Sequence, residues 1–118
     1  MASADNDCLF CKIISGDLPT DFVYEDENIV AFRDINPQAP THILLIPKDH
    51  IAFAADINET HSDLLFSMFN TANKLASEEG ISSEGYRLVI NNGRGAGQTV
   101  FHLHLHLLGG RPMLWPPG

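Results

Sequence analysis

Three histidines, His102, His104 and His106, occupy alternate positions in the stretch "HLHLHLL" at 102–108, and leucine fills every position between them. Successive side chains of a strand point to opposite faces. This spacing therefore gathers three imidazoles on one face and sends Phe101, Leu103, Leu105 and Leu107 to the other, as core. Along a straight strand neighbouring imidazoles stand about 6 to 7 Å apart, too far for all three to meet one metal ion at about 2.0 to 2.1 Å. The three rings must divide their roles. A neutral imidazole has an ordinary pKa of about 6.5, is mostly deprotonated at neutral pH, and can accept a phosphoryl group on nitrogen. The middle residue, His104, is best placed for that attack, with His102 and His106 beside it to orient or protonate it.

Three other stretches carry chemistry. Immediately before the histidines, "NNGRGAGQT" offers glycines for close backbone approach to a phosphate, with Gln98 and Thr99 as side-chain donors. In "AFRDI", aromatic and aliphatic side chains can sandwich a purine and Asp34 can accept hydrogen bonds from both ribose hydroxyls. From local sequence alone, Asp34 equally reads as the residue that opens the "DINP" turn. Cys8 and Cys11 are the only cysteines; in a reducing compartment their C-x-x-C spacing points to metal binding or redox chemistry rather than a disulfide. A structural tetrahedral site needs four ligands, and His50 and His102 are available as the other two. His61, near the start of a polar helical turn, reads as solvated.

Positioning these groups falls to elements whose periods are readable. "CLFCKIISG" has apolar residues at near-helical spacing and ends on Gly16, a C-cap, so it predicts a short helix that puts Cys8 and Cys11 on one face. "FVYE" and "NIVAFRDI" predict an antiparallel pair, and "THILLIP" a third strand closed by Pro47. From Glu59 to Glu79, apolar residues recur at three- and four-residue intervals, the period of an amphipathic helix, which Gly80 stops. "YRLVIN" predicts the fourth strand and "VFHLHLHLLGG" the fifth. Strands arriving in runs around one long helix favour α+β over a parallel sheet.

With 118 residues the chain fits one domain, 1–118. A net charge of −8 is the wrong sign for holding a long polyanion, which argues against nucleic acid as a partner. No apolar run reaches membrane-spanning length, and "MASADND" lacks the features of an export signal, so the expected location is cytoplasmic. Residues 1–7 read as a flexible tail. The proline-rich end, 111–118, holds the lone tryptophan, Trp115, which suggests packing against a partner chain.

Taken together, "CLFCKII", "DINPQAPTHILLIPKDH", "GAGQTVFHLHLHLLGGRP" and "WPPG" resemble the histidine triad superfamily over nearly the whole chain, and within it the purine nucleoside phosphoramidase branch of histidine triad nucleotide-binding proteins. The resemblance implies a nucleotide hydrolase in which His104 is the nucleophile, forms a nucleotidyl-histidine, and is supported by His106 and His42. It implies a nucleoside pocket of Phe10, Ile13, Phe32, Asp34 and Ile35, and contacts to the phosphate or its leaving group from Asn91, Gly97, Gln98 and Thr99, where many relatives have serine in place of Thr99. It also implies structural zinc on Cys8, Cys11, His50 and His102, and no cofactor for the chemistry itself. Finally, it implies a homodimer that joins two five-stranded sheets and brings Trp115 to the partner's site. The alternatives are a dinucleoside polyphosphate hydrolase, which the "WPPG" ending argues against, and a nucleotide-binding regulatory or scaffold protein whose hydrolysis is incidental.

Overall fold

The computed structural model describes residues 7–118; residues 1–6 of the expected N-terminal tail lie outside the described residues. Its helices and strands run α1 (Leu9–Ser15), β1 (Phe22–Glu25), β2 (Ile29–Arg33), β3 (Thr41–Pro47), α2 (Ser62–Glu78), β4 (Tyr86–Val89) and β5 (Leu105–Gly109). The strands form a five-stranded sheet in the order β1-β2-β3-β5-β4, and every neighbouring pair is antiparallel. This is the α+β arrangement expected from the sequence, with one long and one short helix.

The two helices cover opposite faces, which is why β2 and β3 are apolar at consecutive positions. Ile29, Ala31, Ile43 and Leu45 pack with Met68, Ala72 and Leu75 of α2. Val30, Phe32, Leu44 and Ile46 pack with Phe10, Cys11 and Ile13 of α1. Leu103, Leu105 and Leu107 join the α2 side as expected, so the intervening histidines turn toward α1. Phe101 departs from this scheme: it is 37% exposed and lies against Phe53 and the Arg94 guanidinium.

Caps set the helix ends. The Cys8 side chain accepts the Cys11 N–H at the start of α1, and Gly16 ends the helix at φ 87°. The long helix begins at Ser62 rather than Glu59, because Asn58 first caps a 3-10 turn over Glu59–His61, and His61 accepts the Asn58 N–H instead of being merely solvated. Gly80, at φ 77°, closes α2 in a Schellman arrangement with Gly80 N–H on Ser77 and Ile81 N–H on Ala76.

Strand ends differ from the sequence reading where side-chain turns or missing partners intervene. β2 stops at Arg33 because the Asp34 carboxylate accepts the Asn36 N–H at 2.8 Å and turns the chain. β4 ends at Val89, two residues before Asn91. β5 starts at Leu105, not at Val100: its pairing with β3 begins at Leu105, opposite Leu45, and its pairing with β4 at His106, opposite Val89. His102 and His104 thus precede the ladder, and Leu103 N–H donates to the Ile51 carbonyl at 2.6 Å instead.

Candidate active site

The register of β3 and β5 brings two imidazoles together on the α1 face. His42 Nε2 lies 3.0 Å from His106 Nδ1. The Gln38 N–H donates to His42 Nδ1 at 3.0 Å, so that nitrogen is bare and Nε2 carries the hydrogen. His42 therefore donates to His106 Nδ1, leaving the His106 proton on Nε2, which is buried with no hydrogen-bond partner among the described residues. Asp34 Oδ2 stands 3.5 Å from His42 Nε2.

His104 is fixed by the chain preceding β5. Its Nδ1 lies 2.7 Å from the His102 carbonyl oxygen, which only accepts, so Nδ1 carries hydrogen and Nε2 keeps its lone pair. The His104 and His106 ring centres are 4.9 Å apart, closer than the straight-strand spacing. Burial lowers the pKa of His104, opposed by the His102 carbonyl and by Asp34. Burial pushes His106 down to about 4, reinforced by His104 and His42 and opposed by Asp34. Burial lowers His42 as well, against the pull of Asp34. All three are neutral near pH 7.

A cavity of about 500 Å³ opens beside these rings. Phe10, Ile13, Phe32, Asp34 and Ile35 line it, Ile35 from the rim with its side chain fully exposed. Gly97, Thr99, His104 and His106 line its other side. Two residues of the expected nucleotide set do not. Asn91 lies beyond the end of β4 and is not among the residues that line the cavity. Gln98 is 2% exposed, and its amide is committed to the loop: Oε1 accepts the Gly93 N–H at 2.7 Å, while Nε2 donates to the Ala52 and Val100 carbonyls. It shapes the loop that presents Gly97, whose φ of 96° suits glycine, rather than offering its own donors.

Cys8, Cys11, His50 and His102 converge. His50 Nδ1 and His102 Nδ1 are 3.2 Å apart, Cys11 Sγ is 3.3 Å from His50 Nδ1 and 3.6 Å from His102 Nδ1, and Cys8 Sγ is 3.4 Å from His102 Nδ1. The edges of a tetrahedron around zinc, from its bond lengths, are about 3.3 Å for N–N and about 3.5 Å for N–S. The four donors fit such an ion. His102 Nε2 donates to the Pro47 carbonyl at 2.8 Å, which leaves Nδ1 bare as a ligand atom. Burial raises Cys8 to about 11, so the thiol keeps its proton until a cation takes its place.

Trp115 is 83% exposed and does not line its own chain's cavity. The tail near it is tied to β4, where Arg87 donates to the Leu114 carbonyl at 2.9 Å. The sequence reading missed the carbonyl of Pro47 and the N–H of Gln38, backbone groups that set two histidine tautomers and carry no residue-type signal. It also missed Leu18, Pro19, Leu44 and Val100 in the cavity wall. The alternation of Leu44 with His42 is the signal that points to it.

The profile of the HIT domain family matches residues 15–113. The chain is 50% identical to the purine nucleoside phosphoramidase of Escherichia coli K12 over 105 residues, covering 89% of this chain and 88% of that one. It is 51% identical to the 14 kDa zinc-binding protein of Zea mays over 116 residues, covering 97% and 90%. Its fold superposes on the crystal structure of a HIT family hydrolase from Legionella pneumophila with a TM-score of 0.93 and 60% identity, covering 95% of this chain and 100% of that one. These agreements, together with the triad and its register, make the chain a member of the HIT domain family.

Proposed function

We propose that this nucleotide hydrolase cleaves the P–N bond of adenosine or guanosine 5′-phosphoramidates, releasing the nucleoside monophosphate and an amine. One observation carries the reading: the bare Nε2 of His104 stands beside the unpartnered N–H of His106, a nucleophile next to a donor. His104 Nε2 attacks phosphorus, the P–N bond breaks, and the nitrogen departs as the amine after taking a proton from solvent. The His106 N–H stabilises charge on the phosphoryl oxygens during transfer, with Gly97 and Thr99 beside it. Water then attacks phosphorus, the P–Nε2 bond breaks, and a proton returns to solvent. Phe10, Phe32 and Ile13 hold the base and Asp34 the ribose.

Charge favours an amine over a nucleotide as leaving group. Arg33 is the one arginine or lysine in the cavity lining among the described residues, and both of its terminal nitrogens are held by the Glu79 carboxylate at 2.8 and 2.9 Å. A polyphosphate leaving group would find no free cation there, whereas an amine needs none.

The same reading takes Cys8, Cys11, His50 and His102 as the ligands of a structural zinc. When bound, zinc supplies a cross-link between α1 and the segment before β5, and no chemistry. It also takes the protein as a homodimer, supported by the open edge of β4, the exposed Phe66 and Phe69 on α2, and the exposed Trp115. Quenching the reaction with an adenosine phosphoramidate in acid-free conditions and mapping peptides by mass spectrometry should find AMP on His104. Hydrolysis without any nucleotide on that residue overturns the mechanism. A His104→Ala variant that binds AMP but no longer turns over separates the enzyme from the scaffold alternative.

A further inference from the structure

Helix α1 serves two sites at once. Cys8 and Cys11 reach the four-donor centre, and Phe10, between them, turns into the cavity and meets the nucleophile. Its ring centre lies 5.0 Å from that of His104 with the planes at 88°, and 6.0 Å from His102 and 5.6 Å from Phe32 with the planes at 72° in both pairs. Phe10 is 4% exposed and packs among these rings where they meet the cavity.

Among the described residues the His104 ring makes one hydrogen bond, from Nδ1 to the His102 carbonyl. One hydrogen bond leaves the ring some swing about its Cβ–Cγ bond. A wall against the ring removes that freedom, and Phe10 is the wall. Two supports of the nucleophile thus descend from the same centre: the carbonyl belongs to His102, a donor of the set, and Phe10 belongs to the helix that two other donors anchor.

We propose that Phe10 is a positioning residue for His104 and that metal binding at Cys8, Cys11, His50 and His102 sets it, so that the centre tunes the nucleophile through α1 without touching substrate. The inference deepens the phosphoramidase reading and rests on it. A residue that only walls the nucleoside would act on affinity. One that aims the nucleophile acts on the rate of nucleotidyl transfer at saturating substrate.

The test is a cycle of two changes, Phe10→Leu and removal of zinc by a chelator, read in single-turnover formation of the AMP–His104 adduct and in AMP affinity by calorimetry. Phe10→Leu in the zinc-loaded protein should slow adduct formation at saturating substrate about tenfold or more, over and above the loss of AMP affinity that its place in the base wall brings. Stripping zinc from the unaltered chain should slow adduct formation in the same way. Stripping it from Phe10→Leu should add less than about half of that effect on a logarithmic scale, because the device is already broken. Phe10→Leu that weakens AMP binding with an unaltered transfer rate overturns the proposal. So does a zinc effect that is undiminished in Phe10→Leu.

A readout independent of turnover covers the cases where the variant folds poorly or no substrate reacts. In the unaltered chain labelled with ¹⁵N in its histidine rings, the His104 proton signals feel the ring current of Phe10. Zinc removal should move and broaden them, and signals that stay in place overturn the proposal. Absence of any hydrolysis by the zinc-loaded protein, with those shifts present, would instead remove the phosphoramidase reading and leave the positioning contact standing.

Discussion

His42 Nε2 lies 3.0 Å from His106 Nδ1, and this one contact decides which nitrogen of His106 carries the proton. His42 is itself held in one tautomer by the Gln38 N–H, so the direction runs from backbone to His42 to His106 and ends at the buried, unpartnered Nε2–H of a ring that lines the cavity. His42→Ala removes the donor and lets His106 place its proton on either nitrogen. The expected loss in kcat/KM is about 100-fold, with AMP affinity nearly unchanged. Steady-state rates and calorimetry together check it, and a variant as fast as the parent would show the relay to be idle.

Acid should destabilise the fold through these same rings. His106 is pushed down to about 4 from an ordinary 6.5, so the unfolded chain binds that proton more readily than the folded one. Stability is full above about 6.5, declines as pH falls toward about 4, and loses on the order of 3 kcal/mol from this group across the window. His42, also lowered by burial, acts in the same direction. Urea midpoints taken through that range should fall with pH, and the slope should be shallower in His106→Asn. An equal slope in the variant would assign the effect to other groups.

Asp34 spends one carboxylate oxygen on the Asn36 N–H and aims the other toward His42, which leaves acceptor capacity for a ribose hydroxyl at the cavity edge. AMP should therefore bind about tenfold more tightly than 2′-deoxy-AMP, and Asp34→Asn should narrow that gap. Equal affinities in the unaltered protein would leave the carboxylate a turn residue only.

Zinc added to the metal-free protein should bind one ion per chain and release protons, because burial keeps the Cys8 thiol protonated up to about 11 until the cation replaces its proton. Cys11→Ala should abolish the uptake and lower the melting temperature. An indicator dye and elemental analysis read both. Uptake with no proton release would place the ion elsewhere.

Leu107 is wholly buried between β5 and α2, opposite Ile43 of β3 and Leu88 of β4. Leu107→Ala should cost about 2 to 5 kcal/mol by losing that burial and leaving a cavity. Denaturant titration measures it directly, and a cost below about 1 kcal/mol would mean the core closes over the gap.

By itself the sequence determined what period and residue type control. Alternation put Leu103, Leu105 and Leu107 in the core and the histidines on the other face, because a strand leaves a side chain no third direction. The apolar period gave α2, and glycines marked the ends of both helices, because those turns need a positive φ. Tertiary structure decided everything that depends on two distant backbones meeting. The ladder starts at Leu105 because β4 ends opposite His106 and Leu103 gives its N–H to the Ile51 carbonyl rather than to β3, so that His102 reaches the cysteines while His104 stays at the cavity. The carbonyls of Pro47 and His102 and the N–H of Gln38 choose the tautomer of each ring, and backbone groups carry no signature in the residue string. For the same reason Gln98, which reads as a phosphate donor, proves to be the loop's internal brace. A side chain's chemistry is written in its type, but its partners are set only when the chain closes on itself.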